Sequence, residues 1–261
     1  MPSNLHKNLT KKSQFIIFVP AWEGWAIFKQ SIGKNFRCMK QEKPRLELTG
    51  DGSHTLYLQG LDEYYHSWHG AIQESRHVFI DQGLKQVKGE QVRLLEVGFG
   101  TGLNAWLTCM EAESMGLKVD YHTIELYPLS GEIIHKLNYT RQLGNQGAAI
   151  FEDIYRAGWD QQSVINPFFS IHKILADFLN FHPKGTYRLI YFDAFAPDKQ
   201  PAMWQEEQLI KMYNALEPGG IMVTYCAKGK IKRLLRGIGF CVESLPGPPG
   251  KREMIRAIRS E

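Results

Sequence analysis

Leu94-Leu-Glu-Val-Gly-Phe-Gly-Thr-Gly-Leu-Asn104 reads as a buried strand that runs into three spaced glycines and then into a helix. The apolar run Val92 to Val97 suits a strand covered on both faces, and Leu103 to Met115 carries helical spacing from the last glycine onward. Where side chains are missing, a ligand can approach the backbone and the free N–H groups of the helix start, which is how nucleotide-like cofactors are held. A dinucleotide fingerprint demands glycine at position 103, where this chain has leucine, so a nicotinamide cofactor ranks last.

Working outward, short apolar runs alternate with helical patterns: strands Val92 to Val97, Val119 to Ile124, Ile171 to Ala176, Leu189 to Phe192 and Ile221 to Tyr225, with helices Leu103 to Met115, Gln205 to Leu216 and Lys230 to Ile238. Pro218-Gly-Gly220 reads as a helix stop. Phe240 to Ser244 and Glu253 to Ile258 close the chain as two strands around Pro246-Gly-Pro-Pro-Gly250. Ahead of the main sheet, Arg45-Leu-Glu-Leu and Thr55-Leu-Tyr-Leu alternate in period two about Gly50-Asp-Gly-Ser53, the pattern of a hairpin. The expected fold class is α/β: a Rossmann-like, mainly parallel sheet with a C-terminal β-hairpin and a small N-terminal β extension. Residues 1–44 are expected to form an extension, with Trp22 and Trp25 as a packing arm, and residues 45–261 the main domain with a cleft-covering segment.

Carboxylates recur at the strand ends. Glu96 lies two places before the first glycine, Glu125 ends the second strand where a carboxylate can accept ribose hydroxyls, and Asp177 closes the third strand beside Phe178. Asp177 suits an adenine amino group, and Phe178 an aromatic contact with its ring. Tyr187-Arg-Leu-Ile-Tyr-Phe-Asp-Ala-Phe-Ala-Pro197 ends in Asp193 at the sheet's carboxyl edge, the crevice in which open α/β sheets bind ligands. A carboxylate there can fix an amine nucleophile and take up its proton.

These residues resemble a known family. Asp51-Gly-Ser-x-Thr-Leu56, Tyr65-His-Ser67, Gly70-Ala with Glu74-Ser, His77-Val-Phe-Ile80, the Glu96-to-Asn104 turn, Asp193-Ala-Phe-Ala-Pro197 and Lys251-Arg-Glu-Met254 look like the methyltransferase domain of the bacterial MnmC family over about residues 45 to 259. The resemblance implies a class I S-adenosylmethionine-dependent enzyme that N-methylates the 5-aminomethyl group of a wobble (2-thio)uridine in tRNA. It implies that Glu96, Gly98, Gly100, Gly102, Asn104, Glu125, Asp177 and Phe178 hold the cofactor and that Asp193 faces the acceptor amine. It further implies that Tyr65, Ser67, Glu74 and Pro197 line the acceptor cleft, and that Lys251 and Arg252 meet tRNA phosphate. The chain stops after its final strand, so the likeness is to a stand-alone form and no FAD is expected.

Composition sets the remaining bounds. With 261 residues, 43% hydrophobic, the chain is long enough for one full core. A net charge of +4 is too small for bulk electrostatics to argue nucleic-acid binding. Four cysteines without a Cys-x-x-Cys pair read as reduced thiols, and Phe15 to Phe28 is too short to span a bilayer and lacks a cleavage site, so a cytoplasmic protein without membrane or obligate protein partner is expected. His66, His69 and His77 lack the companion ligands of a metal site, and no metal is expected. Two rivals remain at this stage: an aminopropyl transferase resembling spermidine synthase, which shares the amine nucleophile and strand-end aspartate, and a non-catalytic RNA-binding protein on the same fold.

Overall fold

The structure, a computed structural model, describes residues 43–260. The expectations for the N-terminal extension, including Trp22 and Trp25, lie outside the described residues.

A three-stranded antiparallel sheet comes first: β1 (Arg45–Leu48), β2 (His54–Leu58) and β3 (Glu63–Tyr64). A strap then leads through Ser67 and Gly70 into helix α1 (Ala71–Ser75), which continues as a π-helical turn, Arg76–Asp81. β4 (Gln91–Val97), α2 (Leu103–Met115) and β5 (Lys118–Glu125) make the first crossover unit. Three short helices follow, α3 (Gly131–Ile134), α4 (Tyr139–Gln142) and α5 (Ala148–Arg156), then β6 (Gln162–Asn166), β7 (Phe169–Leu175) and β8 (Tyr187–Phe192). The chain ends with α6 (Glu206–Ala215), β9 (Leu216–Thr224), α7 (Gly229–Ile238), β10 (Phe240–Pro246) and β11 (Glu253–Arg259).

The main sheet has eight strands in the order β10-β11-β9-β8-β4-β5-β7-β6. The five inner strands β9, β8, β4, β5 and β7 run parallel, and β11, β10 and β6 are antiparallel to their neighbours. β4 is the point of reversal: the chain moves from it toward β7 on one side and later toward β9 on the other. Inner strands are covered on both faces, so their side chains are apolar in both registers. Val92, Leu94, Tyr121, Leu189 and Tyr191 pack toward Trp106 of α2 and Ile154 of α5. Leu95, Val97, Ile124, Ile190 and Phe192 pack toward Leu209 and Met212 of α6 and Leu235 of α7.

The expected strands, the hairpin and the three helices are present within a few residues. Pro218-Gly-Gly220 stops α6, but by bulging the start of β9, where the register with β8 shifts. Two strands escaped the sequence reading. β3 has only two residues, and β6 is a polar edge strand whose Val164 is 78% exposed, so it has no alternation to detect.

Asp51 anchors the strap. Its Oδ1 accepts from the Thr49 hydroxyl, the Ser53 amide and the Ser53 hydroxyl, and its Oδ2 accepts from the Gln73 amide at 3.0 Å in the first turn of α1. A Cβ on Gly70 would lie 2.7 Å from that carboxylate, so the helix start closes on Asp51 only with glycine there. Burial raises the Asp51 pKa, but the hydrogen bonds from Ser53, Gln73 and Thr49 outweigh it and leave the carboxyl below its ordinary value. Asp51→Ala strands these donors and is expected to cost about 1–2 kcal/mol, read as a lowered urea midpoint at neutral pH.

Candidate functional site

The crevice at the reversal point is built from the carboxyl ends of β4 and β8. Val97 and Phe192 pair in register, and the Asp193 amide donates to the Val97 carbonyl at 3.1 Å, which fixes Asp193 beside the glycine turn. Gly98 has φ +94°, and a Cβ there would lie 2.9 Å from the Asp193 carbonyl oxygen. Glycine is required because the two strand ends approach closely in a left-handed conformation. Gly102 has φ +76° and precedes α2, so that Leu103 enters the core while Asn104 reaches Asp193 from the first turn of the helix.

Glu96 and Asp193 are the two acids of this floor. Glu96 is fully buried, and its Oε2 accepts from the Thr123 hydroxyl at 2.7 Å. Burial pushes its carboxyl up to about 8, the Thr123 bond opposing and neighbouring Asp193 reinforcing the shift. Asp193 Oδ2 accepts from the Asn104 amide at 2.8 Å. Burial and then Glu74 push its carboxyl up to about 7, against Asn104 and Lys251, which hold it down. Glu96 Oε1 and Asn104 Oδ1 are buried acceptors that make no hydrogen bond within normal distance among the described residues, with the unpaired Tyr121 hydroxyl and the Asn104 side chain beside Glu96. Two unfilled acceptors under a glycine turn suit a ligand that carries an ammonium group.

Glu125 ends β5 as expected. Its Oε2 accepts from the Gly100 amide at 3.1 Å and its Oε1 from Tyr127 at 2.8 Å, so it joins the glycine turn to the second strand end. Tyr65 lies on Gly100, with its ring 3.2 Å from the position a Cβ would take, and meets the Phe195 ring edge-on at 5.3 Å. Burial, with Glu125 adding to it, raises the Tyr65 hydroxyl well above its ordinary value. The segment expected to cover the cleft is therefore over the glycine turn. Ser67 contributes its amide, which donates to Glu74 Oε2 at 2.6 Å, and Pro197 lies in the half-buried loop after Asp193.

The remaining expected residues have partners of their own in the folded chain. Asp177 spends its carboxylate on its own turn, accepting from the Leu179 amide at 2.9 Å and the Asn180 side chain at 2.8 Å, because the chain reverses directly after β7. Phe178 is 4% exposed, packed edge-on against Phe192 with the Lys211 ammonium 4.4 Å from its ring centroid, and so offers no free face to an adenine. Lys251 is half-buried, paired with the buried Glu74 and seated 3.9 Å from the centre of the Tyr225 ring, and Arg252 beside it is exposed. The three histidines go to separate partners: His66 to Thr101 Oγ1 at 3.0 Å, His69 against Gly250, and His77 to the Pro246 carbonyl at 2.8 Å. No cluster suited to a metal occurs among the described residues.

Tyr225, at the end of β9, was not among the expected site residues. Its place at the carboxyl end of a parallel strand was the available signal, and its hydroxyl donates to the Ala194 carbonyl at 2.9 Å, one residue beyond Asp193. Lys173 was also missed, although a lysine within an apolar strand is visible in the sequence. It is 1% exposed, donates to the carbonyls of Ile154 and Tyr155, and is pushed down to about 8 by burial.

Comparison with known proteins gives a consistent picture. Residues 170–260 match a family described as S-adenosyl-L-methionine-dependent methyltransferase. The tRNA 5-methylaminomethyl-2-thiouridine biosynthesis bifunctional protein MnmC of Pseudomonas fluorescens strain Pf-5 is 30% identical over 232 residues, taking in 84% of this chain and 35% of that protein. The protein of the same name from strain Pf0-1 is 27% identical over 237 residues, with the same 84% and 35% covered. The chain thus spans about a third of the length of these relatives. The crystal structure of MNMC2 from Aquifex aeolicus shares the fold, with a TM-score of 0.69 at 20% identity over 90% of this chain and 81% of that one.

The buried Glu96 makes a testable demand on stability. Its folded-state pKa of about 8 lies above the ordinary 4.5, so its contribution is fully present below 4.5 and is lost as pH rises toward and through 8. Urea unfolding at pH 6 and pH 8 is expected to show the wild type losing about 2 kcal/mol more over this interval than Glu96→Gln, which cannot ionise. Parallel pH profiles for the two proteins would refute the assignment.

Proposed function

The chain is an S-adenosyl-L-methionine-dependent methyltransferase related to the MnmC proteins, and on that basis we propose that it N-methylates the 5-aminomethyl group of a wobble uridine, 2-thiolated or not, in tRNA. The observation that carries the proposal is Asp193: a half-buried carboxylate with a raised pKa, fixed by Asn104 at the reversal point of the sheet, next to the glycine turn and its two unfilled acceptors.

In this reading Glu96, Asn104, Gly98, Gly100, Gly102 and Glu125 hold the cofactor. Gly98 and Gly100 supply bare backbone, Glu125 offers the strand-end carboxylate, and Glu96 Oε1 and Asn104 Oδ1 receive the ammonium of the methionine portion. When bound, S-adenosylmethionine supplies an electrophilic methyl group on a positively charged sulfur. Asp193 orients the acceptor amine and takes the proton it sheds. The amine must be neutral to attack, since a protonated amine has no lone pair. Held there, the cofactor would give up its methyl group to the amine nitrogen and leave with the electron pair of the sulfur–carbon bond, and Asp193 would accept the amine proton. A carboxyl near 7 suits that exchange at neutral pH. Tyr65 and Phe195 exclude water from above, and catalysis rests on alignment and desolvation of the amine. Exposed Arg252 is the phosphate contact left in the Lys251-to-Met254 motif, and a tRNA substrate sets the work in the cytoplasm.

The decisive measurement is nucleoside mass analysis of aminomethyl-bearing tRNA after incubation with the protein and S-adenosylmethionine. A gain of one methyl group on that nucleoside is expected. Turnover of putrescine with the decarboxylated cofactor, and none with tRNA, would install the aminopropyl reading instead. Asp193→Ala is expected to hold cofactor affinity within a few-fold by calorimetry while lowering single-turnover methylation at least ~100-fold; equal loss of both would make Asp193 a cofactor ligand. Because a positively charged ligand favours an ionised carboxylate, cofactor affinity is expected to rise as pH increases toward 8, where Glu96 ionises, with protons released on binding below that pH. Calorimetry in buffers of different ionisation enthalpy reads that release, and binding without proton release would contradict it.

A further inference from the structure

Glu74, Lys251 and Tyr225 come from three distant parts of the chain and meet beside Asp193. Glu74 lies in α1 and is 5% exposed, with Oε2 taken by the Ser67 amide and Oε1 by the Lys251 ammonium. That ammonium also rests on the Tyr225 ring, 3.9 Å from its centre. The Tyr225 hydroxyl donates to the carbonyl of Ala194, so the ring is fixed to the strand end that bears Asp193. Lys251 is itself held in place: its amide donates to the Pro248 carbonyl at 2.9 Å, and the Gly247 amide donates to the Arg252 carbonyl at 3.1 Å, which closes the turn before β11.

A lysine that reached for tRNA phosphate would need a free head group. Here the charge is placed between a buried carboxylate and an aromatic face, where a cation is attracted by both. Through Lys251 and Tyr225, Glu74 of the strap comes to the strand end that bears Asp193, here the mouth of the cleft, and Glu96 is a further acid beside Asp193; like charges so arranged oppose each other's ionisation unless a cation is interposed. The other groups facing the cluster are Asn104 from α2, Tyr121 from β5, Tyr225 and Cys226 after β9, Glu63 of β3, His66 from the strap and Asp51 from the turn between β1 and β2. His66 is pushed down to about 4 by burial and so is neutral at working pH, and Asp51 is engaged by its own turn. Lys251 is therefore the cation facing this group of acids among the described residues.

Resting on the methyl-transfer reading, we infer that Lys251 is a positioning residue of the reaction: paired with Glu74 on the Tyr225 ring, it is the counter-ion that lets Glu74 and Asp193 share the cleft mouth as carboxylates. It acts through Asp193 and touches neither reacting atom.

The two members of the pair have opposite signs, which separates electrostatics from mere packing. In Lys251→Met the Asp193 titration, and with it the acid limb of kcat/KM for aminomethyl-bearing tRNA, is expected to move up by about one pH unit. In Glu74→Gln it is expected to move down by a similar amount, and Lys251→Arg is expected to restore the wild-type limb. The Asp193 titration is also read directly by carbon NMR on protein carrying 13C-labelled aspartate carboxyls, assigned with Asp193→Asn. That readout needs no substrate, so a wild type inactive on tRNA would defeat the function proposed above while leaving this inference under test. Unchanged Asp193 titration in both variants, or a shift of the same sign in both, would overturn it.

Discussion

One backbone hydrogen bond, from the Asp193 amide to the Val97 carbonyl, holds together the two strand ends on which the site depends. It exists because β4 is the strand where the sheet reverses its order, so β8 returns to lie beside β4 instead of beyond β7. The turn after β4 must then leave the strand in a left-handed conformation while β8 passes within contact distance, a requirement only glycine meets at position 98. Glu96 and Asp193, nearly a hundred residues apart in the chain, thereby become neighbours on one floor, and the Asp193 charge adds to the resistance of Glu96 to ionisation.

The strap between the two sheets is the second structural decision. Asp51 gathers the Gly50-to-Ser53 turn and the first turn of α1 with one carboxylate, and this sends Tyr65 over Gly100 while turning Glu74 toward the C-terminal loop. His69 against Gly250 and His77 on the Pro246 carbonyl tie the same strap to the same loop. The cleft cover is thus held at both ends by polar contacts of low individual strength, as befits a segment that must admit a substrate.

Electrostatically, the site is a set of buried acids held in check by a small number of donors and one ammonium. Burial is the largest contributor to the shifts of both Glu96 and Asp193, and the Asn104 amide and the Lys251 ammonium are what hold Asp193 down near neutrality. A site so biased favours a positively charged partner over a neutral one, in keeping with a sulfonium cofactor.

By itself the sequence determined the alternation of strands and helices, the glycine turn, the leucine at 103 that argues against a dinucleotide, and Asp193 at a strand end. These are local properties, set by periodicity and by missing side chains. It did not determine the edge strand β6, whose polar residues carry no alternation, nor the fates of Asp177, Phe178 and Lys251. Their neighbours in the chain point to a cofactor or phosphate, whereas in the fold the carboxylate bonds its own turn, the phenylalanine joins the core and the lysine pairs with a buried acid. Which of these holds is decided by groups brought in from elsewhere: Asn180 for Asp177, Phe192 and Lys211 for Phe178, Glu74 and Tyr225 for Lys251. Only the tertiary structure supplies those partners, because burial and charge pairing depend on distances in space that spacing along the chain does not encode.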